Sequence, residues 1–406
     1  MIASFRPCRL HGHLDAPPSK SLAHRYLIGA ALSGQTCTLT GVDFSEDILA
    51  SMDCLRALGA GITVRGDTVV VEGQNFMRAD AAEDTPSVLP CRESGSTLRF
   101  FIPLALCLGR EVILRGSDRL LARPQGVYEE LCRDRGFSFR KEKNEITLRG
   151  RLEGGRYRVR GDISSQFITG LIFGLVHLGQ ESEIEIIPPL ESRSYIRLTL
   201  SALRAFGAEV DFADEYRIAI RPAPMKAYAG RMEGDYSNAA FLDAFNQTGS
   251  EIEIGNLNPH SLQGDRVYAD YFERLRQGTP TLDISDCPDL GPVLIALASL
   301  ENGATFTGTD RLKIKESDRG AAMDAELRKL GGGLILGDNT ITVPKQTLRR
   351  SGQMLDGHND HRIVMALSVI LCRTGGEIRG AEAVRKSYPG FFEDITSLGA
   401  EVEISE

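Results

Sequence analysis

Three short motifs of this sequence place arginine or lysine beside serine, aspartate or glutamate. They read Ser-Lys-Ser at residues 19–21, Lys-Glu-Ser-Asp-Arg at residues 315–319 and Asn-Asp-His-Arg at residues 359–362. Arginine pairs with phosphate or carboxylate through two parallel hydrogen bonds, and lysine binds the same groups as a point charge. A carboxylate held near such cations can take up or release a proton during a reaction. Residues of these types therefore favour a site for small anionic molecules.

These motifs belong to a larger set of polar segments that should begin helices. The six segments lie at residues 18–21, 93–97, 162–166, 235–238, 286–289 and 358–362, and a largely apolar run follows each of them. Ser, Asp and Asn are typical of helix N-termini because their oxygens accept hydrogen bonds from unpaired backbone N–H groups. A helix that is apolar on all sides must be buried. If the six N-termini converge, their positive dipole ends would form a common focus for anions.

Helix capping alone explains any one of these segments, and that interpretation stays open for each of them singly. It does not explain the cations in the first turns, where the helix dipole disfavours them. These cations are Lys20, Arg25, Arg99 and Arg362. A bound anion lying between the cation and the helix end would remove the conflict. The set as a whole therefore favours an anion-binding site.

The elements that would position these residues recur six times along the chain. Strand-like runs rich in Val, Ile and Thr open each repeat, at residues 38–40, 111–114, 183–187, 251–254, 304–307 and 377–379. They are spaced by about seventy residues, with one shorter step between the fourth and the fifth. Amphipathic helices are predicted at residues 49–59, 195–207, 318–331 and 390–399. The pattern predicts an α/β protein of two similar lobes, each built from three repeated units.

Composition excludes several other classes of protein. The chain has 406 residues and a net charge of −8, which argues against a general nucleic-acid binder. Its 8 cysteines form no C-x-x-C pair, so neither a disulfide framework nor a zinc site is expected. We expect no signal peptide, no membrane span and a cytoplasmic location. The sequence has no P-loop, zinc-protease or dinucleotide-binding motif, so we expect no metal and no organic cofactor.

The motifs resemble those of the EPSP synthase family. The matching segments are residues 18–25, 164–166, 315–319 and 359–362, with Arg123-Pro124 and residues 386–389, and they follow the family's order from about residue 14 to 394. The resemblance implies an inside-out α/β fold of two lobes with the active site in the cleft between them. It also implies that residues 1–15 join residues 227–406 in one lobe, that residues 16–226 form the other, and that the protein is a monomer.

The resemblance further implies transfer of the enolpyruvyl group of phosphoenolpyruvate to the 5-hydroxyl of shikimate 3-phosphate, in the biosynthesis of chorismate and the aromatic amino acids. Glyphosate would be a possible inhibitor. The residues matched to phosphoenolpyruvate binding are Lys20, Gly95, Arg123, Gln166, Arg319, Arg362 and Lys386. Those matched to shikimate 3-phosphate binding are Lys20, Ser21, Arg25, Ser164, Ser165, Gln166, Ser192, Tyr195, Asp289 and Lys315.

Such a reaction needs one group that takes the proton of the attacking hydroxyl and another that exchanges a proton with the methylene carbon. The resemblance carries over Asp289, Glu316, Lys386 and Lys20 as catalytic residues. We expect Asp289 to serve the hydroxyl and Glu316, with Lys386, to serve the methylene. Lys20 would protonate or stabilise the departing phosphate. The alternative role for Glu316 is that of an ion-pair partner of Lys315 and Arg319 only. We expect His361 to orient its loop.

Some positions depart from the family pattern, and other functions remain as alternatives. Glu93 stands where the family usually has Asn, and an extra carboxylate there would weaken anion binding unless it pairs with a cation or points away. Arg193-Ser194 replaces the usual Lys-Pro after Ser192. The nearest rival is a UDP-N-acetylglucosamine enolpyruvyl transferase, but Lys20 is not followed by Asn and no Cys lies between Arg115 and Cys132. A non-catalytic phosphate-binding homologue and an RNA-end-processing protein are the alternatives from other classes.

Overall fold

Strands and helices are interspersed along the described chain. The computed structural model describes residues 1–78 and 86–406. The strands are β1 (Ile2–Phe5), β2 (His11–Asp15), β3 (Thr36–Thr40), β4 (Gly61–Arg65), β5 (Thr68–Glu72), β6 (Ser87–Arg92), β7 (Val112–Gly116), β8 (Ser138–Lys141), β9 (Glu145–Arg149), β10 (Arg156–Arg160), β11 (Ser182–Ile187), β12 (Glu209–Phe212), β13 (Arg217–Arg221), β14 (Ala229–Arg231), β15 (Glu251–Gly255), β16 (Thr281–Asp283), β17 (Ala304–Thr307), β18 (Ile335–Leu336), β19 (Thr340–Val343), β20 (Leu355–Asp356), β21 (Gly376–Arg379) and β22 (Val402–Ser405).

The helices carry most of the candidate site residues at their N-terminal ends. They are α1 (Lys20–Leu32), α2 (Glu46–Ala57), α3 (Gly95–Cys107), α4 (Asp118–Ala122), α5 (Gly126–Arg135), α6 (Ser165–Leu178), α7 (Arg193–Ala205), α8 (Tyr236–Gln247), α9 (Tyr268–Gln277), α10 (Gly291–Leu300), α11 (Arg319–Lys329), α12 (His361–Thr374) and α13 (Phe391–Ser397). Short 3₁₀ turns lie at Gly264–Val267, Pro288–Leu290, Asp310–Ile314 and Ala381–Lys386.

The chain forms two units, each with its own apolar core. The continuous unit is Pro18–Met232, and the discontinuous unit joins Met1–Pro17 to Glu233–Glu406. Two separate clusters of buried apolar side chains fill them, one per unit. A chain of this length is expected to divide its core in this way, because single cores stop growing at about 250–300 residues.

One sheet plan recurs in both units. The strand orders are β14-β3-β5-β4, β6-β7-β9-β8 and β10-β11-β13-β12 in the continuous unit, and β16-β17-β19-β18 and β20-β21-β1-β22 in the discontinuous unit. In each, the first two strands pair in parallel, and the remaining pairs are antiparallel. The third sheet of the discontinuous unit is the parallel pair β15-β2. The predicted α/β fold of six repeats is confirmed, and the two-stranded sheet accounts for the one short interval.

The six opening strands predicted from sequence are β3, β7, β11, β15, β17 and β21, and all are confirmed. Five of the six predicted helix starts are confirmed as well, with Ser19, Ser94, Ser164, Asp235 and Asp360 at the N-cap positions. The exception is residues 286–289. There a 3₁₀ turn, Pro288–Leu290, precedes α10, which begins at Gly291. Asp289 therefore lies within that turn instead of capping the helix.

Each unit buries helices whose starts carry candidate residues, such as α3 and α6 in one and α12 in the other. In the continuous unit α3 and α6 pack closely, because a side chain at Gly170 would meet the backbone oxygen of Arg99. Helices α10 and α12 are apolar and almost wholly buried in the discontinuous unit. Burial on all sides follows from these apolar sequences, as predicted. Among the described residues, no helix is both long enough and apolar enough to span a membrane.

Candidate active site

Arg319 is the centre of a buried cluster of charged side chains in the discontinuous unit. It is the first residue of α11, and its side chain is 1% exposed. Its guanidinium donates to Asp289 Oδ1, Glu316 Oε2 and Asp360 Oδ2, each at 2.9 Å. Burial alone would lower the pKa of Arg319, but the charges of Asp360, Glu316 and Asp289 outweigh it and raise the pKa. Arg319 therefore stays a cation although it is withdrawn from water.

Asp289 pairs with three cations in the same cluster. Besides Arg319, its carboxylate lies 3.2 Å from Lys315 Nζ and 3.4 Å from Arg362 Nη2. Burial alone would raise the pKa of Asp289, but the charges of Lys315, Arg362 and Arg319 hold it well below its usual range. In this arrangement Asp289 is ionised and is a weak proton acceptor. We refer to Asp289, Lys315, Glu316, Arg319, Asp360 and Arg362 as the Arg319 cluster.

Lys315 is a cation of this cluster whose pKa is lowered by its surroundings. Burial, the largest effect, together with the positive charges of Arg311 and Arg319 lowers its pKa to about 8, although Asp289 and Glu316 oppose the change. Glu316 Oε2 accepts from Arg319 Nη2 at 2.9 Å. Both interpretations of Glu316 made from sequence, proton exchange and ion pairing, are compatible with this geometry.

The Asn-Asp-His-Arg motif forms the start of α12 and joins it to the cluster. Asp360 caps the helix, since its Oδ1 accepts from the backbone N–H of Arg362 at 2.9 Å. Its other oxygen accepts from Arg319 and, at 3.0 Å, from Ser317 Oγ. Lys386 Nζ donates to the backbone oxygen of Asn359 at 2.8 Å. Five candidate residues from three segments thus lie side by side in one unit, with Lys386 bonded to the same motif.

In the continuous unit, the start of α1 carries a second group of candidates. Lys20 is its first residue, and its ammonium group lies 3.0 Å from Asp47 Oδ2 on α2. Arg25 is almost fully buried and donates to Thr199 Oγ1 at 2.9 Å and to the backbone oxygen of Tyr195 at 3.0 Å. It also donates to the backbone oxygen of Ser21. The structure therefore brings Ser21, Arg25 and Tyr195 together through the α1–α7 contact.

Gly95 and Arg123 form a third group. Gly95 is the first residue of α3, and Ser94 caps that helix by accepting from the backbone N–H of Thr97. A Cβ atom at Gly95 would lie 2.5 Å from Arg123 Nη1 and 2.9 Å from its Cζ. The guanidinium of Arg123 thus lies directly against the glycine. Only a residue without a side chain leaves it there undisturbed.

The start of α6 adjoins the start of α3 through Gln166. Its backbone N–H donates to Ser164 Oγ at 3.3 Å, and its side-chain Nε2 donates to Ser96 Oγ at 2.9 Å. Its Oε1 accepts from Arg99 Nη1 at 2.7 Å. The side-chain amide is therefore oriented by two bonds to residues of α3. Ser165 is buried as the first residue of α6, and Ser192 is buried at the N-cap of α7 with a left-handed φ of 52°.

The comparisons with known proteins agree with one another on the family. The family model described as EPSP synthase (3-phosphoshikimate 1-carboxyvinyltransferase) matches residues 6–395. The chain belongs to the EPSP synthase family. A relative named 3-phosphoshikimate 1-carboxyvinyltransferase, from Clostridium kluyveri, is 39% identical and covers 98% of both chains. A relative of the same name from Clostridioides difficile is 35% identical over 98% of this chain and 97% of its own.

The solved structures add the fold. EPSP synthase from Acinetobacter baumannii superposes with a TM-score of 0.78 at 21% identity, and each chain is covered completely. At that identity the likeness shows the fold and no more. The family membership and the fold class predicted from the sequence motifs are both confirmed.

Several residues of this EPSP synthase family member matter to the site and were not among the candidates. Asp47, Asp360 and Thr199 hold Lys20, Arg319 and Arg25 respectively. Asp360 lies inside the Asn-Asp-His-Arg motif, so its residue type at a helix start was a usable signal. Asp47 and Thr199 are ordinary helix residues, and nothing local marks them.

The structure also changes the reason given for cations at helix starts. The sequence argument required a bound anion between each cation and its helix end. In the structure, protein groups hold these cations: Asp47 binds Lys20, Asp289 binds Arg362, and Gln166 binds Arg99. Arg25 is held by a hydroxyl and by backbone oxygens. Each of these cations thus has partners within the protein, and the binding of an anion at these helix starts stays a prediction.

Glu93 is partly buried and lies two residues before Gly95. Its neighbour Arg92 has a left-handed φ of 52° and pairs with Glu46 and Asp53, at 2.6 Å and 2.7 Å. The predicted weakening of anion binding by Glu93 stays a prediction. In the described parts of the chain, no group of three or more His, Cys, Asp or Glu side chains is arranged to hold a metal ion.

Proposed function

We propose that this protein transfers the enolpyruvyl group of phosphoenolpyruvate to the 5-hydroxyl of shikimate 3-phosphate and releases inorganic phosphate, in the biosynthesis of the aromatic amino acids. Membership of the family bears out the transferase activity predicted from the motifs. The structural observation that carries the proposal is the Arg319 cluster, in which Lys315, Arg319 and Arg362 share bonds with Asp289. Cations and carboxylates of this kind suit anionic substrates and proton transfer.

The charges of the substrates account for the number of cations. Each substrate has a phosphate and a carboxylate, and a phosphate carries about −1.5 to −2 at neutral pH. We propose that phosphoenolpyruvate is held by the set Lys20, Gly95, Arg123, Gln166, Arg319, Arg362 and Lys386. We propose that shikimate 3-phosphate is held by the set Lys20, Ser21, Arg25, Ser164, Ser165, Gln166, Ser192, Tyr195, Asp289 and Lys315.

Gln166 suits contact with both substrates because its amide is already oriented by Arg99 and Ser96. Gly95 suits the first set because it gives room to the guanidinium of Arg123. A fixed amide and a fixed guanidinium lower the cost of ordering side chains when the ligand binds.

The reaction is proposed to proceed by addition and then elimination. A proton moves from the Glu316–Lys386 pair to the methylene carbon while the acceptor hydroxyl attacks the adjacent carbon and gives its proton to Asp289. The C–O bond to phosphate then breaks, with Lys20 stabilising or protonating the leaving oxygen, and the methyl carbon returns one proton to the first base. Enolpyruvyl ether and inorganic phosphate result.

Asp289 must become a better base during this cycle than it is in the free protein. Its low pKa is caused by the charges of Lys315, Arg362 and Arg319. Substrate phosphate and carboxylate groups would bind these same cations and reduce their effect on Asp289. The basicity of Asp289 would therefore rise when the acceptor hydroxyl is in place, which is when the reaction needs it.

The assay that tests the function is release of inorganic phosphate from purified protein with both substrates. We expect release only when phosphoenolpyruvate and shikimate 3-phosphate are present together. Release with UDP-N-acetylglucosamine instead would move the protein to the sister activity, and binding without release would make it a non-catalytic homologue. The variant Arg319→Met is a suitable negative control because it removes the centre of the cluster, whereas Arg274→Met, at an exposed ion pair, should leave release unchanged.

We further propose that the protein acts as a monomer in the cytoplasm, and that glyphosate inhibits it in competition with phosphoenolpyruvate. The biosynthetic role of the family supports the location. The proposed phosphoenolpyruvate set supports the inhibitor, since glyphosate also carries a phosphonate and a carboxylate. Sedimentation of the purified protein and inhibition at varied phosphoenolpyruvate concentration would test these points.

A further inference from the structure

Glu326 is a buried carboxylate that lies outside both proposed substrate sets. It is on α11, two helical turns after Arg319, and is 1% exposed. Lys329 Nζ lies 2.7 Å and 3.0 Å from its two oxygens. A buried carboxylate is costly unless it is paired and fully hydrogen-bonded, so the remaining partners of Glu326 indicate what it stabilises.

Those partners belong to the turn that precedes the Asn-Asp-His-Arg helix start. Glu326 Oε2 accepts from the backbone N–H of Asp356 at 2.9 Å, and Oε1 lies 2.9 Å from His358 Nε2. The carboxylate thus binds both ends of residues 356–358. An ionised carboxylate can only accept a hydrogen bond, so the hydrogen of this bond lies on His358 Nε2.

The turn held in this way has an unfavourable backbone conformation. His358 and Asn359 are consecutive non-glycine residues with φ of 51° and 53°. Such residues persist only where surrounding interactions hold them. The side chain of Asp356 adds one, since its Oδ1 accepts from the backbone N–H of His358 at 2.7 Å.

Two candidate functional contacts depend on this conformation. The backbone oxygen of Asn359 accepts from Lys386 at 2.8 Å. The next residue, Asp360, caps α12 beside Arg362 and accepts from Arg319. If the turn relaxed, the Asn359 oxygen and the Asp360 carboxylate would both move.

We propose that Glu326 is a positioning residue for the reaction. Its bonds to His358 and to the 356–358 turn fix the positions of Asn359 and Asp360, which in turn contact Lys386, Arg319 and Arg362. Glu326 itself does not touch a substrate. This inference rests on the proposed function of those three residues. The location of Glu326 on α11 supports this role. Arg319 at the start of that helix and Glu326 two turns later both bind residues 356–360.

The test compares variants of the two partners in the phosphate-release assay. His358→Ala removes the bond between Glu326 and His358, which we call the tether, and Glu326→Gln weakens the same bond from the Glu326 side. Each should lower kcat/KM for phosphoenolpyruvate by roughly 10- to 100-fold, the effect of losing one hydrogen bond to a charged group. His358→Gln, which keeps a donor, should recover most of the loss. The Kd of shikimate 3-phosphate alone should change less than about two-fold, because most of its proposed set lies in the other unit.

Two further variants separate positioning from general stability. His358→Gly relieves the left-handed backbone but still lacks the tether, so it should be as slow as His358→Ala although its unfolding temperature is higher. Asp324→Asn is the matched control: Asp324 is also on α11 and accepts from the backbone N–H of Leu334 at 2.7 Å, away from the turn. It should lower the unfolding temperature and leave kcat/KM unchanged.

The proposal is overturned if folded His358→Ala and Glu326→Gln keep kcat/KM for phosphoenolpyruvate within two-fold of the wild type. It is also overturned if they weaken shikimate 3-phosphate binding to the same degree, since that would be general loosening. Failure of the proposed function is a separate result: the wild-type protein itself would then release no phosphate with the two substrates.

Discussion

Replacing Gly95 by alanine should weaken phosphoenolpyruvate binding while leaving the fold intact. The new Cβ would lie 2.5 Å from Arg123 Nη1, 2.9 Å from Cζ and 3.1 Å from Nη2. Carbon contacts are ordinary only from about 3.5 Å, so the guanidinium must retreat by about 1 Å. The atoms that must move are the far end of a flexible side chain. The cost should therefore appear in ligand binding more than in the free energy of unfolding.

The size of the effect follows from that displacement. A charge-assisted hydrogen bond contributes about 1.5–3 kcal/mol, and a group misplaced by about 1 Å can cost roughly 100-fold in rate. We expect the KM for phosphoenolpyruvate to rise by roughly 10- to 100-fold, and the inhibition constant of glyphosate to rise with it. The KM for shikimate 3-phosphate should change by less than about three-fold, because Arg123 is not in its proposed set.

The chain offers a matched control and a cycle that isolates the cause. A Cβ at Gly126, the first residue of α5, would meet nothing within 4 Å, so Gly126→Ala should behave as the wild type. In the background of Arg123→Ala, the effect of Gly95→Ala should largely vanish, because the displaced group is already gone. An unchanged KM for phosphoenolpyruvate in Gly95→Ala, or an undiminished effect without Arg123, would refute this reasoning.

Four other predictions concern charge. Burial lowers the pKa of Lys315 to about 8, so this positive charge is lost as pH rises through about 8 and the KM for shikimate 3-phosphate should then increase. Lys315→Arg should make that KM nearly independent of pH. A wild-type KM that does not change with pH would contradict the role of Lys315 in binding shikimate 3-phosphate. Asp289→Asn should lower kcat by roughly 100- to 10,000-fold, the range for general acid–base groups, and a loss below about ten-fold would remove Asp289 from that role. Glu93→Asn should lower the KM for phosphoenolpyruvate by about two- to ten-fold if the carboxylate repels the ligand, and a higher KM would show that Glu93 pairs usefully with a cation. Phosphoenolpyruvate binding should take up a proton, because the anion would join a cluster in which three carboxylates already balance three cations. Calorimetry in buffers of different ionisation enthalpy would then give binding enthalpies that differ between buffers. Equal binding enthalpies would contradict the prediction.

Local sequence signals were sufficient to predict the opening strands and most of the helix N-termini. Strand β11 could be predicted because its alternating Glu and Ile are typical of a strand with one buried face, and α6 because Ser164 precedes an apolar run. The failure at residues 286–289 is also local in origin. Pro288 lacks a backbone N–H and fixes its own φ, and the chain forms a 3₁₀ turn before α10 begins at Gly291.

The partners of the charged residues could not be predicted in the same way. Asp47 binds Lys20 across 27 residues of sequence, and Asp360 binds Arg319 across 41. These pairs depend on how the helices pack within a unit. Neither sequence separation produces a periodic pattern that could be recognised in the sequence. Helix-start chemistry pointed to Lys20 and family resemblance to Arg319, but the carboxylates that pair with them became visible only in the structure.

The neutralisation of these cations by the protein has a consequence for the reaction. An empty site of several bare cations would be costly to fold, since each buried charge needs a partner. Asp289 and Asp360 supply such partners to Arg319. In the mechanism proposed above, a substrate anion would compete with a carboxylate for Arg319, which would lower affinity. The same competition would free Asp289 from the charges that depress its pKa. The part of the binding energy lost in this exchange would thus prepare Asp289 as the base for the acceptor hydroxyl, which is the use of binding energy that raises kcat.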